Sequence, residues 1–200
     1  MAIALTTELD AINTCLAVIG ESPVNSVTNT GLVDAVTARN TLYETLRQVQ
    51  STGWSWNTDY DYVLQPQFPL PGEIRLPANT LTVDAMDPSL DYVQRGLRLY
   101  DRGRKTYTFD ANVTVRIIRL LDFEEMPQVA RHFVMVRAAR IFQDRTVGST
   151  TLSTFNKEDE LRALVALRND EATNRGYSIY NNSDARRILG WPRIPNRTGF

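Results

Sequence analysis

The sequence predicts an α+β protein: an antiparallel helical bundle with an inserted small antiparallel β domain and an extended C-terminal arm. Three observations carry that expectation. Apolar residues recur at helical spacing through residues 1–59 and again through 122–176. Between residues 60 and 121 the period drops to two, and Pro, Gly, Asn and Asp separate short β-prone runs. From Tyr177 to Phe200 the periodicity fades, although apolar and basic side chains persist. The expected organisation is therefore a bundle built from 1–59 and 122–176, an insert at 60–121 and an arm at 177–200.

The first helix opens at Thr7-x-x-Asp10, an acidic variant of the capping box, and carries Leu9, Ile12, Leu16 and Ile19 on one stripe. Gly20 suits the position just past its end, and Ser22-Pro23 stops continuation. Cys15 sits beside the stripe and reads as a small buried hydrophobe. Residues 21–31 read as a loop. A second helix spans about Leu32 to Thr52, with Ala35, Leu42, Leu46 and Val49 on one side and Gly53 as its stop. Trp54 and Trp56 share a side if the chain is extended there, and form a lid on the helical core.

In the insert, Tyr62–Leu64, Ile74–Leu76, Leu81–Val83, Leu97–Leu99, Thr106–Phe109 and Val113–Leu121 are the expected strands. Five of the nine prolines fall in its first half, which confines the early strands to edges or irregular paths. Helix returns after Asp122, a plausible N-cap with Glu125 three residues on and Pro127 in the first turn. Along Met126–Arg145, Ala130, Val134, Ala138 and Ile141 mark one face, and Val129, Phe133 and Val136 mark nearly the opposite one. A helix so widely apolar is covered on more than one side. It is either the central helix of its own bundle or a subunit interface, for which Arg131, Phe133, Val136, Arg137 and Arg140 are the candidates. The last helix is expected from about Asn156 to Asn174, with Leu161, Leu164, Val165 and Ala172 inward. Its acids Glu158, Asp159 and Glu160 would stand near the positive end of the helix dipole.

Composition narrows the chemistry. The chain has 200 residues, 42% of them hydrophobic, with 22 Lys and Arg against 23 Asp and Glu. A net charge of −1 argues against a dedicated nucleic-acid binder, whose phosphate contacts need a basic face. One histidine, His132, and one cysteine, Cys15, leave no His/Cys zinc set and no intrachain disulfide. Asp84, Asp87 and Asp91 lack the EF-hand pattern, and neither a P-loop nor a nucleophile elbow is present. No uncharged apolar stretch reaches the length of a membrane span, and the first residues lack the basic region of a secretory signal, so a cytosolic product is expected. No cofactor and no catalytic residue is expected. The enzymatic alternative is a cell-wall glycan hydrolase, for which Glu124 and Glu125 or Asp59 and Asp61 supply acids but no evident cleft.

Two further segments read as docking elements. The stretch Gln94–Lys105 carries Arg95, Arg98, Arg102, Arg104 and Lys105 against the lone acid Asp101, around an expected hairpin at Arg102-Gly103. It would face DNA or an acidic partner protein, or else stand as a solvated hairpin. The arm combines Arg186, Arg187 and Arg193 with Ile188, Leu189 and Trp191, apolar side chains that a free tail gains nothing by exposing. It either docks on another protein or wraps on its own domain.

Together these landmarks resemble the tail tubular protein A family of short-tailed podophages. The resemblance runs through Gly20-Glu21-Ser22-Pro23-Val24, Gln50-Ser51-Thr52-Gly53-Trp54-Ser55-Trp56-Asn57 and Tyr100-Asp101-Arg102. It continues in Ile117-Ile118-Arg119-Leu120, Asp122, Glu125-Met126-Pro127, Arg137-Ala138-Ala139-Arg140 and Phe142-Gln143-Asp144-Arg145. It implies a head-to-tail adaptor: a dodecameric ring of this chain between the portal protein and the tail nozzle protein (tail tubular protein B), with tail fibres near that junction. The ring would continue the channel through which DNA passes without sequence recognition. By analogy with adaptor rings the arm belongs to the portal. The expected location is the virion tail, after assembly in the host bacterial cytoplasm.

Overall fold

The computed structural model describes residues 4–26, 32–67 and 72–174. Its elements are α1 (Glu8–Ala17), α2 (Val33–Gln50), β1 (Thr58–Leu64), β2 (Thr80–Ala85), β3 (Tyr92–Arg95), β4 (Arg98–Asp101), β5 (Val113–Arg119), α3 (Gln128–Thr146) and α4 (Thr150–Asn174). The mixed α+β class holds. The expected arm at 177–200, with Arg186, Arg187, Ile188, Leu189, Trp191 and Arg193, lies outside the described residues.

Helix α1 starts where the sequence says it should. The Thr7 side chain accepts from the Asp10 amide and Asp10 accepts from the Thr7 amide, so two otherwise orphan donors are paired. Gly20 takes φ +82°, and the amide of Glu21 returns to the Leu16 carbonyl, closing the helix end. Gly53 plays the same part after α2 at φ +79°, and a Cβ there would stand 2.7 Å from Ile118 Cδ1. Glycine at 53 is thus required twice, by the backbone conformation and by the sheet packed against it.

Helix α3 packs against α1, α2 and α4 and is the central helix of its own bundle. Phe133 and Phe142 are buried from it, and Ile12, Leu16, Leu42 and Phe123 meet them in one core. Trp54 and Trp56 cap that core as expected, but on a single 3₁₀ turn over Ser55–Asn57 rather than an extended segment. The Asp122 cap also serves a separate 3₁₀ turn, Phe123–Glu125, and Pro127 itself precedes the first turn of α3.

The β region has its own core of Leu64, Ile74, Leu76, Val83, Leu99, Phe109, Val113 and Val115. Strand β5 is central in an antiparallel sheet of order β1-β5-β2, and β3 pairs with β4 in a second, two-stranded sheet. A bulge between Asp59 and Tyr62 places Asp61 at φ +54° and bends β1. Ile74–Leu76 and Thr106–Phe109 contribute isolated bridges in place of the expected strands, while Tyr92–Arg95, not expected, is a strand. Prolines 66, 69, 71 and 77 flank the first of these runs and remove the amides a continuous ladder needs.

Helix α4 differs most from expectation. It begins at Thr150, so Glu158, Asp159 and Glu160 stand two turns in and the dipole argument does not apply to them. Its buried row is Ala163, Leu167 and Glu171, whereas Leu161 and Val165 are 60% and 50% exposed. Of the expected apolar row, Leu164 still packs on the core while Leu161, Val165 and Ala172 face outward, and Glu160 stands on the inner side, paired with Arg137 and Arg140 of α3.

Candidate functional site

Charged side chains fall into two groups with opposite environments. The first lies along α3. Arg131 is 7% exposed and donates from Nε to the Met126 carbonyl at 2.8 Å and from a terminal nitrogen to the Thr6 carbonyl at 3.0 Å. Its other terminal nitrogen reaches the Glu124 carbonyl. One guanidinium thereby ties the segment before α1 to the 3₁₀ turn before α3. Arg137 donates to Glu160 and to Gln48 Oε1, each at 3.2 Å. Arg140 pairs with Glu160 and, at 2.8 Å, with Asp144. Burial pulls the Arg140 pKa down, but the hydrogen bond and charge of Glu160, then Asp144, outweigh it and leave it raised. At the end of the helix Arg145 reaches across to Glu44 of α2 at 2.7 Å.

Of the candidate interface residues, then, Arg131 and Phe133 are buried inside the subunit, Val136 is half-buried, and Arg137 and Arg140 bind acids of the same chain. Sequence periodicity locates such arginines but says nothing of what stands opposite them.

The second group surrounds the β3–β4 hairpin. Its two-residue turn falls at Gly96-Leu97 rather than at Arg102-Gly103. The Arg102–Lys105 segment forms a further turn, closed by paired backbone hydrogen bonds between Asp101 and Thr106 at 2.9 and 3.1 Å. Arg95 stacks 3.6 Å above the Tyr100 ring, and Arg98 lies 4.4 Å from the Tyr107 ring. The two tyrosines lie 4.8 Å apart with their planes tilted by 60°, so each ring carries a guanidinium and touches the other ring. Tyr107 is the part sequence reading missed, because it joins Tyr100 only through the bridge at Asp101–Thr106.

Acids from outside the segment partly neutralise the patch. Glu73 meets Arg98 at 3.1 Å, Asp91 meets Arg102 at 3.3 Å and Asp110 meets Arg104 at 2.7 Å. The hydrogen bond that Arg104 donates to Asp110 raises the Arg104 pKa. Lys105 is exposed at φ +54°. What remains is a stiff, moderately cationic surface with flat aromatic faces.

Two polar residues join the bundle to the sheet, and the sequence reading did not single them out for this. Gln50 is fully buried. It donates to the Leu121 carbonyl at 2.9 Å and accepts from the Leu121 amide at 2.8 Å. Asn57 donates to the carbonyls of Gln50 and Arg119 at 3.0 and 2.9 Å. Both crossings of the chain between the two cores are thus stitched together. The available signal was a glutamine on the apolar face of a helix end.

The remaining chemistry is spare. Burial pushes the Cys15 thiol up to about 12, which leaves it without thiolate character near neutral pH. His132 is exposed. Glu124 accepts from the Glu8 amide at 3.1 Å, and Glu125 accepts from the Asp122 amide at 3.2 Å. Among the described residues no group of three or more metal-binding side chains converges, and no helix is long and apolar enough to cross a membrane.

The ionic and polar groups of the bundle hold the chain's own segments together, and a cationic hairpin stands outside. The comparisons with known proteins place the chain. The model of the tail tubular protein family matches residues 9–177, and the chain belongs to that family. It is similar to tail tubular protein A of Klebsiella phage KP34, with 31% identity over 182 residues, covering 90% of this chain and 95% of the relative. It is thus a structural protein of a phage tail.

Proposed function

We propose that this chain is a head-to-tail adaptor, assembling as a closed ring between the portal and the tail nozzle and continuing the channel for genome retention and ejection. The observation that supports this reading most is family membership across nearly the whole chain, joined to a fold that puts its charge into internal bracing. Ring closure follows from repeated heterologous contacts around an axis, so one subunit must offer two different surfaces. Arg131 and Phe133 are enclosed, so lateral contacts run over the outer faces of the bundle helices. The stacked hairpin, with Arg95, Arg98, Arg102, Arg104 and Lys105, faces an acidic partner of the tail or the passing DNA. Near-neutral overall charge suits a channel wall, since a strongly basic wall would retain phosphate. The arm, through Arg186, Arg187, Ile188, Leu189, Trp191 and Arg193, docks on the portal. Assembly takes place in the host cytoplasm, with the nozzle protein and tail fibres joining later.

The test is mass photometry of the chain added to portal rings of the cognate phage. A single ring-sized increment that disappears on deletion of residues 177–200 is the expected result. A chain that ignores the portal overturns the proposal. The hydrolase alternative draws no support from Glu124 and Glu125, whose carboxylates accept from backbone amides beside α1 and α3.

A further inference from the structure

Between the end of α2 and α4 lies an open groove of about 590 Å³, lined by Val49, Trp54, Phe133, Arg137, Leu164 and Arg168 among others. Leu161, one turn before Leu164, and Val165, one turn after Leu161 and one before Arg168, border the groove along α4 and stand 60% and 50% exposed. A row of that kind has nothing to gain from water. Its apolar contribution is realised only when something covers it.

We propose that the C-terminal segment of the same subunit, centred on Ile188, Leu189 and Trp191, lies in this groove in the free protein and leaves it when a partner binds. Three features favour that occupant over others. Helix α4 itself forms the groove wall and ends at Asn174, so the chain continues from the site with 26 residues still to run. The span needed is short: Leu161 is 13 residues back along α4, about 20 Å at helical rise, well within reach of the remaining chain. The segment also carries the complement the groove lacks, an indole and three branched aliphatic residues (Ile188, Leu189, Ile194) beside backbone carbonyls. Arg137 Nε is buried without an acceptor among the described residues, and a carbonyl of an incoming segment can supply one.

The consequence is control of assembly. A segment held on its own subunit cannot cross-link free subunits, and a partner must offer a better site to release it. The contact taxes partner affinity by the fraction of time the segment is stored. This inference concerns the isolated chain and stands or falls separately from the adaptor reading.

Hydrogen exchange on the intact, full-length monomer tests it reciprocally. The double variant Leu161→Glu/Val165→Glu alters only exposed positions, and should raise exchange about tenfold across residues 186–194. The double variant Ile188→Asp/Trp191→Asp should raise exchange by a similar factor at 161–171. Both effects should be independent of protein concentration. Exchange in each region that ignores changes in the other overturns the proposal. So does protection that grows with concentration, because the occupant would then be a second copy.

Discussion

The arginines of α3 and those of the β3–β4 hairpin look alike in the sequence, yet they do different work. Arg131, Arg137 and Arg140 lie where water is scarce and meet carbonyls or acids supplied by other elements of the same subunit. The hairpin arginines stand in solvent, stack on tyrosines and share acids that are themselves exposed. A buried guanidinium must be paired or the fold is strongly destabilised, whereas an exposed one contributes little to stability and is available for binding. The comparison teaches that charge in this chain sorts by burial into bracing and surface, although the residue type is the same.

The largest expected effect comes from the bracing side. Arg131→Ala removes three carbonyl contacts in one step and should cost about 3 kcal/mol, read from urea unfolding of the isolated subunit. Next is Gly53→Ala, which forces a side chain onto φ +79° and against Ile118; about 2 kcal/mol is expected in the same measurement. Thr7→Ala removes the cap of α1 and should cost about 1 kcal/mol near neutral pH.

That last effect carries a pH signature. The Thr7 hydroxyl, then the Thr7 amide, hold the Asp10 pKa below its ordinary value. A carboxylate depressed in the folded state contributes stability that is fully present above its unfolded pKa of about 3.9 and is lost as pH falls through the folded value. The difference in melting midpoint between Thr7→Ala and the parent should therefore shrink as pH is lowered through that range. A constant difference would place the cap's contribution elsewhere. Smallest of all on the fold is the combined change Arg95→Ser/Arg102→Ser, which should move the melting midpoint by less than about 2 °C while weakening binding of the acidic partner or DNA proposed for the hairpin. A variant that unfolds would put the hairpin with the bracing group.

How far the sequence discloses this molecule depends on range. Local signals were legible: the Thr7/Asp10 cap, the stops at Gly20 and Gly53, the tryptophan lid and the change of period at the insert all appear in the structure. Signals set by a distant partner were not. Helix α4 places Glu160 on its inner side, paired with Arg137 and Arg140 of another helix, and no pattern within α4 encodes that pairing. Strand β3 escaped notice because Tyr92–Arg95 is short and its partner begins only three residues later, across Gly96-Leu97. Gln50 and Asn57 reveal their part only when both crossings of the chain come together. Of the candidate site, the hairpin's basic residues could be named in advance, but the acids that temper them, Glu73, Asp91 and Asp110, lie outside the segment, and the second tyrosine arrives through the bridge at Asp101–Thr106.

The most direct test of the division between bracing and surface is a double-mutant cycle on Arg140→Ala and Glu160→Ala, followed by urea unfolding of the monomer. The two changes should be coupled by about 1 kcal/mol or more, because each removes the same ion pair within one subunit. Additive losses in the monomer, with coupling that emerges only in assembled rings, would show that these groups face a neighbouring subunit and would contradict it.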